Sequence, residues 1–157
     1  MRKIINTILI ICAGMVAGNH VYAQSDKSEK ELLVVDDVQI DVKTVQVDPK
    51  TKTALVELFL ISYTRNGREL KLNTYGTKIV DSKGSQYFFS TIGLDKVLVK
   101  SQDKQNYINY LMKMDEPVIL KMTVSDWVKE KGKPKELILV FEDSEEEGHY
   151  IETAVQL

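Results

Sequence analysis

From Val38 onward the chain is written in short apolar runs of period two, and that spacing restricts it to strands. Val38, Ile40 and Val42 alternate with Gln39, Asp41 and Lys43, so one face of this segment is greasy and the other wet. Val45 and Val47 continue one residue out of phase, which predicts a bulge or a change of sheet near Lys43. Residues 53–63 are nearly continuous in Leu, Val, Phe and Ile, with Glu57 the one charge, and read as a central strand covered on both faces.

Turn chemistry separates the runs. Asn66-Gly67 lies between Arg65 and Arg68, and the pair tolerates successive positive φ values, predicting a tight hairpin that returns through Leu70 and Leu72. Residues 77–80 form another short strand, stopped by Asp81-Ser82-Lys83-Gly84, and residues 86–90 come back. Further strands are expected at residues 97–99, through Val118, Leu120, Met122 and Val124, and through Leu137, Leu139 and Phe141. Ile151, Thr153, Val155 and Leu157 make the last. Residues 107–114 fit a helical face as well as a strand face and are read as strand. Eight or nine short strands, spaced by about 8 to 12 residues, indicate an all-β antiparallel sandwich or barrel.

The first 23 residues have a different grammar. Arg2 and Lys3 give a positive start, an apolar run follows from Ile4 to Val16, and Val21-Tyr22-Ala23 supply small or β-branched residues three and one before a cut at Gln24. This is read as a secretory signal peptide, and the run falls short of the roughly 20 residues that a spanning helix needs. Lipid attachment at Cys12 is the rival, disfavoured because bulky Ile11 precedes the cysteine. Residues 24–31 are polar without periodicity and read as a flexible leader, leaving residues 32–157 as one domain. The expected location is periplasmic or secreted.

Cleavage leaves 134 of the 157 residues, with 19 basic side chains against 23 acidic ones, no cysteine, and His149 as the one histidine. Mild acidity disfavours a nucleic-acid partner. A chain of this size can bury about two thirds of its unfolded surface, so a core needs no disulfide staples.

Three stretches resemble a family of small exported immunoglobulin-like domains of unassigned function, related to the mycobacterial immunoprotective extracellular protein. Residues 56–63 running into Asn66-Gly67 are similar to that family's long central strand and its turn. Ile79 through Tyr87 is similar to its strand, Asp-x-x-Gly turn and aromatic return, and residues 136–141 to its closing strand. The chain differs in having Asp115-Glu116-Pro117 where a Pro-Gly-Glu turn is usual, and in its tail from Glu142 onward. The resemblance implies an immunoglobulin-like β-sandwich and no catalytic residues.

Candidate chemistry is sparse. A nucleophile and base need a thiol or hydroxyl beside an imidazole, and a zinc site needs several His or Cys ligands, neither of which the mature chain supplies. His149, beside Gly148 in an acidic turn, reads as an exposed loop residue. Glu142, Asp143, Glu145, Glu146 and Glu147 could bind calcium or serve hydrolysis, but lack the Asp-x-Asp-x-Asp-Gly spacing that wraps a loop around the ion, and read as solvated. Asp36-Asp37 and Asp115-Glu116 offer less. Lys129, Lys131, Lys133 and Lys135 could attract an anion or a glycan, although Glu130 and Glu136 dilute them. Trp127 reads as core rather than sugar platform, and Tyr75, Tyr87, Phe88 and Phe89 as packing. No catalytic, cofactor or metal residue is assigned. The expectation is a non-catalytic interaction module of the cell envelope that binds a protein partner through loops or an open edge such as the final strand. The alternative is a calcium- or carboxylate-dependent glycan binder or hydrolase using the acidic run.

Overall fold

The computed structural model describes residues 32–157. The segments read as signal peptide and leader, and Cys12 with them, therefore lie outside the described residues. Twelve strands follow in chain order: β1 (Leu33–Val35), β2 (Val38–Asp48), β3 (Thr53–Ser62), β4 (Arg68–Asn73), β5 (Lys78–Val80), β6 (Gln86–Tyr87), β7 (Thr91–Leu94), β8 (Val97–Lys100), β9 (Tyr107–Met112), β10 (Pro117–Val124), β11 (Glu136–Glu142) and β12 (Tyr150–Gln156). Single 3-10 turns sit at Ser101–Asp103 and Lys129–Lys131. Among the described residues no helix is long and apolar enough to cross a membrane.

The strands make two antiparallel sheets. The first runs β1-β2-β3-β10-β7-β8. In the second, β11 pairs β12 along one edge, while β5 and β4 share its other edge and carry β6 and β9 outward. Both sheets turn their alternate side chains into one interior, where Leu58, Leu60, Leu70, Leu72, Ile108 and Leu139 meet. Fully burying a side chain of this size stabilises the fold by roughly 1.5–3 kcal/mol.

The phase change in β2 is a bulge: Val42 pairs Leu58 and Thr44 pairs Glu57, leaving Lys43 unpaired. Residues 107–112 are strand, with Ile108 and Met112 buried and Leu111 out. β3 departs from expectation. Ala54, Val56, Leu58, Leu60 and Ser62 point inward, but the intervening residues on the opposite face are only half-buried, so the strand is covered fully on one side. Its continuous apolar run reflects a partly sheltered outer face rather than a second core.

Asn66-Gly67 does not make the expected hairpin. Gly67 has φ +80 and its N–H donates to the Thr64 carbonyl at 3.1 Å, but β3 and β4 belong to different sheets. The turn hands the chain from one layer to the other. Two strands have no counterpart among the expected ones: β1, which pairs the start of β2, and β7, which joins β10 to β8. Gly93 in β7 is needed where it lies, since a Cβ there would come 2.5 Å from the Val97 carbonyl oxygen. Phe88 and Tyr75 are exposed, against their reading as packing, whereas Phe89 is buried and Tyr87 half-buried.

Candidate functional site

Loops at one end of the two sheets converge on Arg68. Its guanidinium is buried and donates to the Asp36 carboxylate and carbonyl and, at 3.3 Å, to the Glu142 carbonyl. It also lies 5.4 Å from the Phe141 ring centre, and its Nε has no hydrogen-bond partner. Asp36 accepts the N–H and hydroxyl of Ser144 at 2.9 and 2.6 Å. Burial alone would raise the Asp36 carboxyl, but Arg68 and Ser144 together hold it below the usual carboxylate value. This knot fastens the β1–β2 turn, the start of β4 and the β11–β12 turn.

Beside it opens a cleft of about 640 Å³, lined among others by Glu69, Lys71, Asn109, Glu142, Asp143 and Glu147. Lys71 Nζ donates to Glu142 Oε1 at 2.9 Å and stands 5.0 and 5.8 Å from the ring centres of Tyr107 and Tyr150, which stack 5.8 Å apart. The bond to Glu142 raises the Lys71 ammonium, and the bonds from Lys71 and the Gly148 N–H lower the Glu142 carboxyl. Lys71 is thus a fixed cation and Glu142 a fixed anion. Neither is poised to exchange a proton near neutrality, which is what acid–base work requires.

The acidic run is split by this geometry. Glu142 faces Lys71, Asp143 lies 3.5 Å from His149, and Glu145, Glu146 and Glu147 are exposed and in no ion pair among the described residues. His149 is an exposed loop residue. Among the described residues, no three side chains of the His, Cys, Asp and Glu types converge as a metal site.

The opposite end is organised by Asp81 and Trp127. Asp81 Oδ1 accepts the N–H groups of Lys83 and Ser85, and Oδ2 accepts the Tyr87 hydroxyl at 2.9 Å. Burial opposes its charge, yet these donors, led by Ser85, keep its carboxyl low. Trp127 is core, 1% exposed, with Nε1–H donating to the Gly132 carbonyl at 2.8 Å and Tyr87 edge-on at 5.0 Å. Lys131 caps both rings, while Lys129 and Lys133 rim an adjoining groove of about 540 Å³ floored by Val47, Pro49, Trp127 and Val128. The lysine cluster is therefore divided between packing and solvent.

Two long open edges flank the second sheet. Thr74 N–H donates to the Asn106 carbonyl, so the antiparallel alternation turns Ile108, Tyr110 and Met112 toward β4 and leaves the N–H and C=O groups of Tyr107, Asn109 and Leu111 on the free side. The Gln105 side chain covers the Tyr107 carbonyl at 2.8 Å. By the same reasoning, the bonds Leu157 N–H to Lys135 and Asp143 N–H to His149 leave Tyr150, Glu152, Ala154 and Gln156 facing out of β12. No strand pairs the outer side of either among the described residues. The β9 edge was not legible as an edge, because sequence spacing identifies a strand but not its neighbours; its lack of any charged residue was the available signal.

Comparison with protein-family models, with curated proteins and with solved structures finds no match to this chain.

Proposed function

We propose that the chain is an exported, non-catalytic interaction module of the cell envelope, an immunoglobulin-like sandwich that takes up an extended segment of a partner protein along β9. One observation carries this reading: a six-residue edge strand with no charge, its free side offering the backbone groups of Asn109 and Leu111, and Leu111 the most exposed large apolar side chain among the described residues, at 69%. Edge strands invite pairing, and stable monomers blunt them with charges, prolines or bulges. The free part of β2 has the bulge at Lys43, and β12 carries Glu152. β9 has none of these. Strand addition then supplies affinity through main-chain bonds, with specificity from alternate side chains.

Export rests on the signal peptide read in residues 1–23. The calcium- or carboxylate-dependent alternative has less support, since Glu142 is tied to Lys71 and no three candidate ligands gather among the described residues.

The test is site-directed photocrosslinking in the producing cell, with the photoreactive residue at position 111 or at position 152. A discrete adduct at 111 that disappears in Asn109→Pro, which removes a free-side N–H without touching the β4 ladder, is the expected result. Adducts only at 152, or an adduct at 111 indifferent to Asn109→Pro, would refute the assignment to β9.

A further inference from the structure

The two ends of the molecule carry opposite unpaired charge. At the Arg68 end, Asp37, Asp115, Glu145, Glu146 and Glu147 make no ion pair among the described residues and outnumber the unpaired Arg65, and Met114, 43% exposed, projects beside Asp115. At the Trp127 end, Lys52, Lys129 and Lys133 likewise make none among the described residues, and together with Glu130 they rim the apolar groove, three cations against one carboxylate. β2 spans the distance, pairing Ser62 at its start and Thr53 at its finish. At about 3.3 Å per residue its 11 residues put the ends roughly 35 Å apart. That is several times the screening length of about 8 Å at physiological salt, so neither end neutralises the other within one molecule.

We propose that the acidic end of one copy docks into the lysine-rimmed groove of the next. Met114 fills the floor formed by Val47, Pro49, Trp127 and Val128, while Asp115 and the exposed glutamates face Lys52, Lys129 and Lys133. The groove selects for this partner because its floor is apolar and its rim sets three lysines against Glu130, and the same chain presents Met114 beside the unpaired Asp115, with Lys113 held by Glu116. Such a contact is heterologous: each copy keeps one end of each kind free, so association builds linear chains rather than a closed dimer. Exposed charges govern it, so it weakens with salt. It is independent of strand addition at β9.

Sedimentation velocity on the mature protein tests it. At about 20 mM salt the mean mass is expected to rise with protein concentration, and at about 500 mM to fall to that of the monomer. Glu145→Lys/Glu146→Lys/Glu147→Lys and Lys52→Glu/Lys129→Glu/Lys133→Glu are each expected to stay monomeric alone, since each has two ends of one sign. Mixed in equal amounts they are expected to associate. Met114→Ser is expected to weaken self-association about tenfold with melting unchanged. A wild type that is monomeric at both salts, or a mixture that does not associate, overturns the proposal. Association that survives high salt and vanishes in Asn109→Pro also overturns it, by assigning the contact to the β9 edge.

Discussion

β9 and β12 border the same sheet, yet they are built on different terms. β9 is anchored by two fully buried side chains, Ile108 and Met112, and its outer row consists of Tyr107, Asn109 and Leu111. β12 is paired to β11 at all seven positions but fully buries only Val155, with Ile151 half-buried against the core, and Glu152 stands midway along its free side. The strand held most firmly from within is thus the one left unguarded without, and the strand held mainly by its ladder has a charge in its edge. A docking edge must stay put while a partner pairs with it, whereas an edge that is merely exposed needs protection.

The largest effect that sharpens this contrast lies in the core. Ile108→Ala is expected to lower unfolding free energy by about 3 kcal/mol, and Val155→Ala by about 2 kcal/mol, read from denaturant midpoints at constant slope. Equal losses would break the contrast in anchoring.

A smaller effect comes from the contact that joins the two edges. Tyr107 of β9 and Tyr150 of β12 stack 5.8 Å apart over Lys71, so Tyr107→Ser is expected to cost about 1 kcal/mol beyond the loss of area. It should also speed amide exchange in both strands together. Acceleration confined to β9 would show that the stack does not couple them.

The pH dependence of the same contact has a defined sign. The folded Glu142 carboxyl lies below its ordinary value, first because Lys71 donates to it. Its contribution is therefore present above the unfolded value of about 4.3 and lost as pH falls through the folded one. Glu142→Gln is expected to flatten the acid limb of a stability profile below about pH 5. Wild type and variant with parallel profiles would contradict the pairing.

Least visible in stability are the outer side chains. Leu111→Lys is expected to change unfolding free energy by less than about 0.5 kcal/mol, while abolishing crosslinking from a photoreactive residue placed at position 109. Glu152→Val, equally silent in melting, is expected to make β12 associate in its turn, seen as a rise in sedimenting mass that salt does not reverse.

Much of this was written locally. The phase slip around Lys43 announced its bulge, and Trp127 was recognisable as core. What failed depended on distant partners. Asn66-Gly67 has the chemistry of a turn, but whether the following strand pairs with the preceding one or crosses to another sheet is decided by packing along the whole chain. β7 was hidden because Thr91, Ile92, Gly93 and Leu94 include a glycine whose reason, the Val97 carbonyl, is visible only in the folded sheet. The cleft draws on Asp37, Arg68, Asn109 and Glu142, far apart in the chain, and the acidic run gave no sign that Glu142 alone would be claimed by Lys71.

Residue-resolved amide exchange of residues 24–157, alone and with a partner captured by crosslinking, bears most directly on the proposal that β9 is the docking edge. The amides of Asn109 and Leu111 should exchange quickly in the free protein and slow by at least tenfold in the complex, with those of Glu152 and Ala154 unchanged. Slowing at Glu152 and Ala154 with Asn109 and Leu111 unaltered would contradict it.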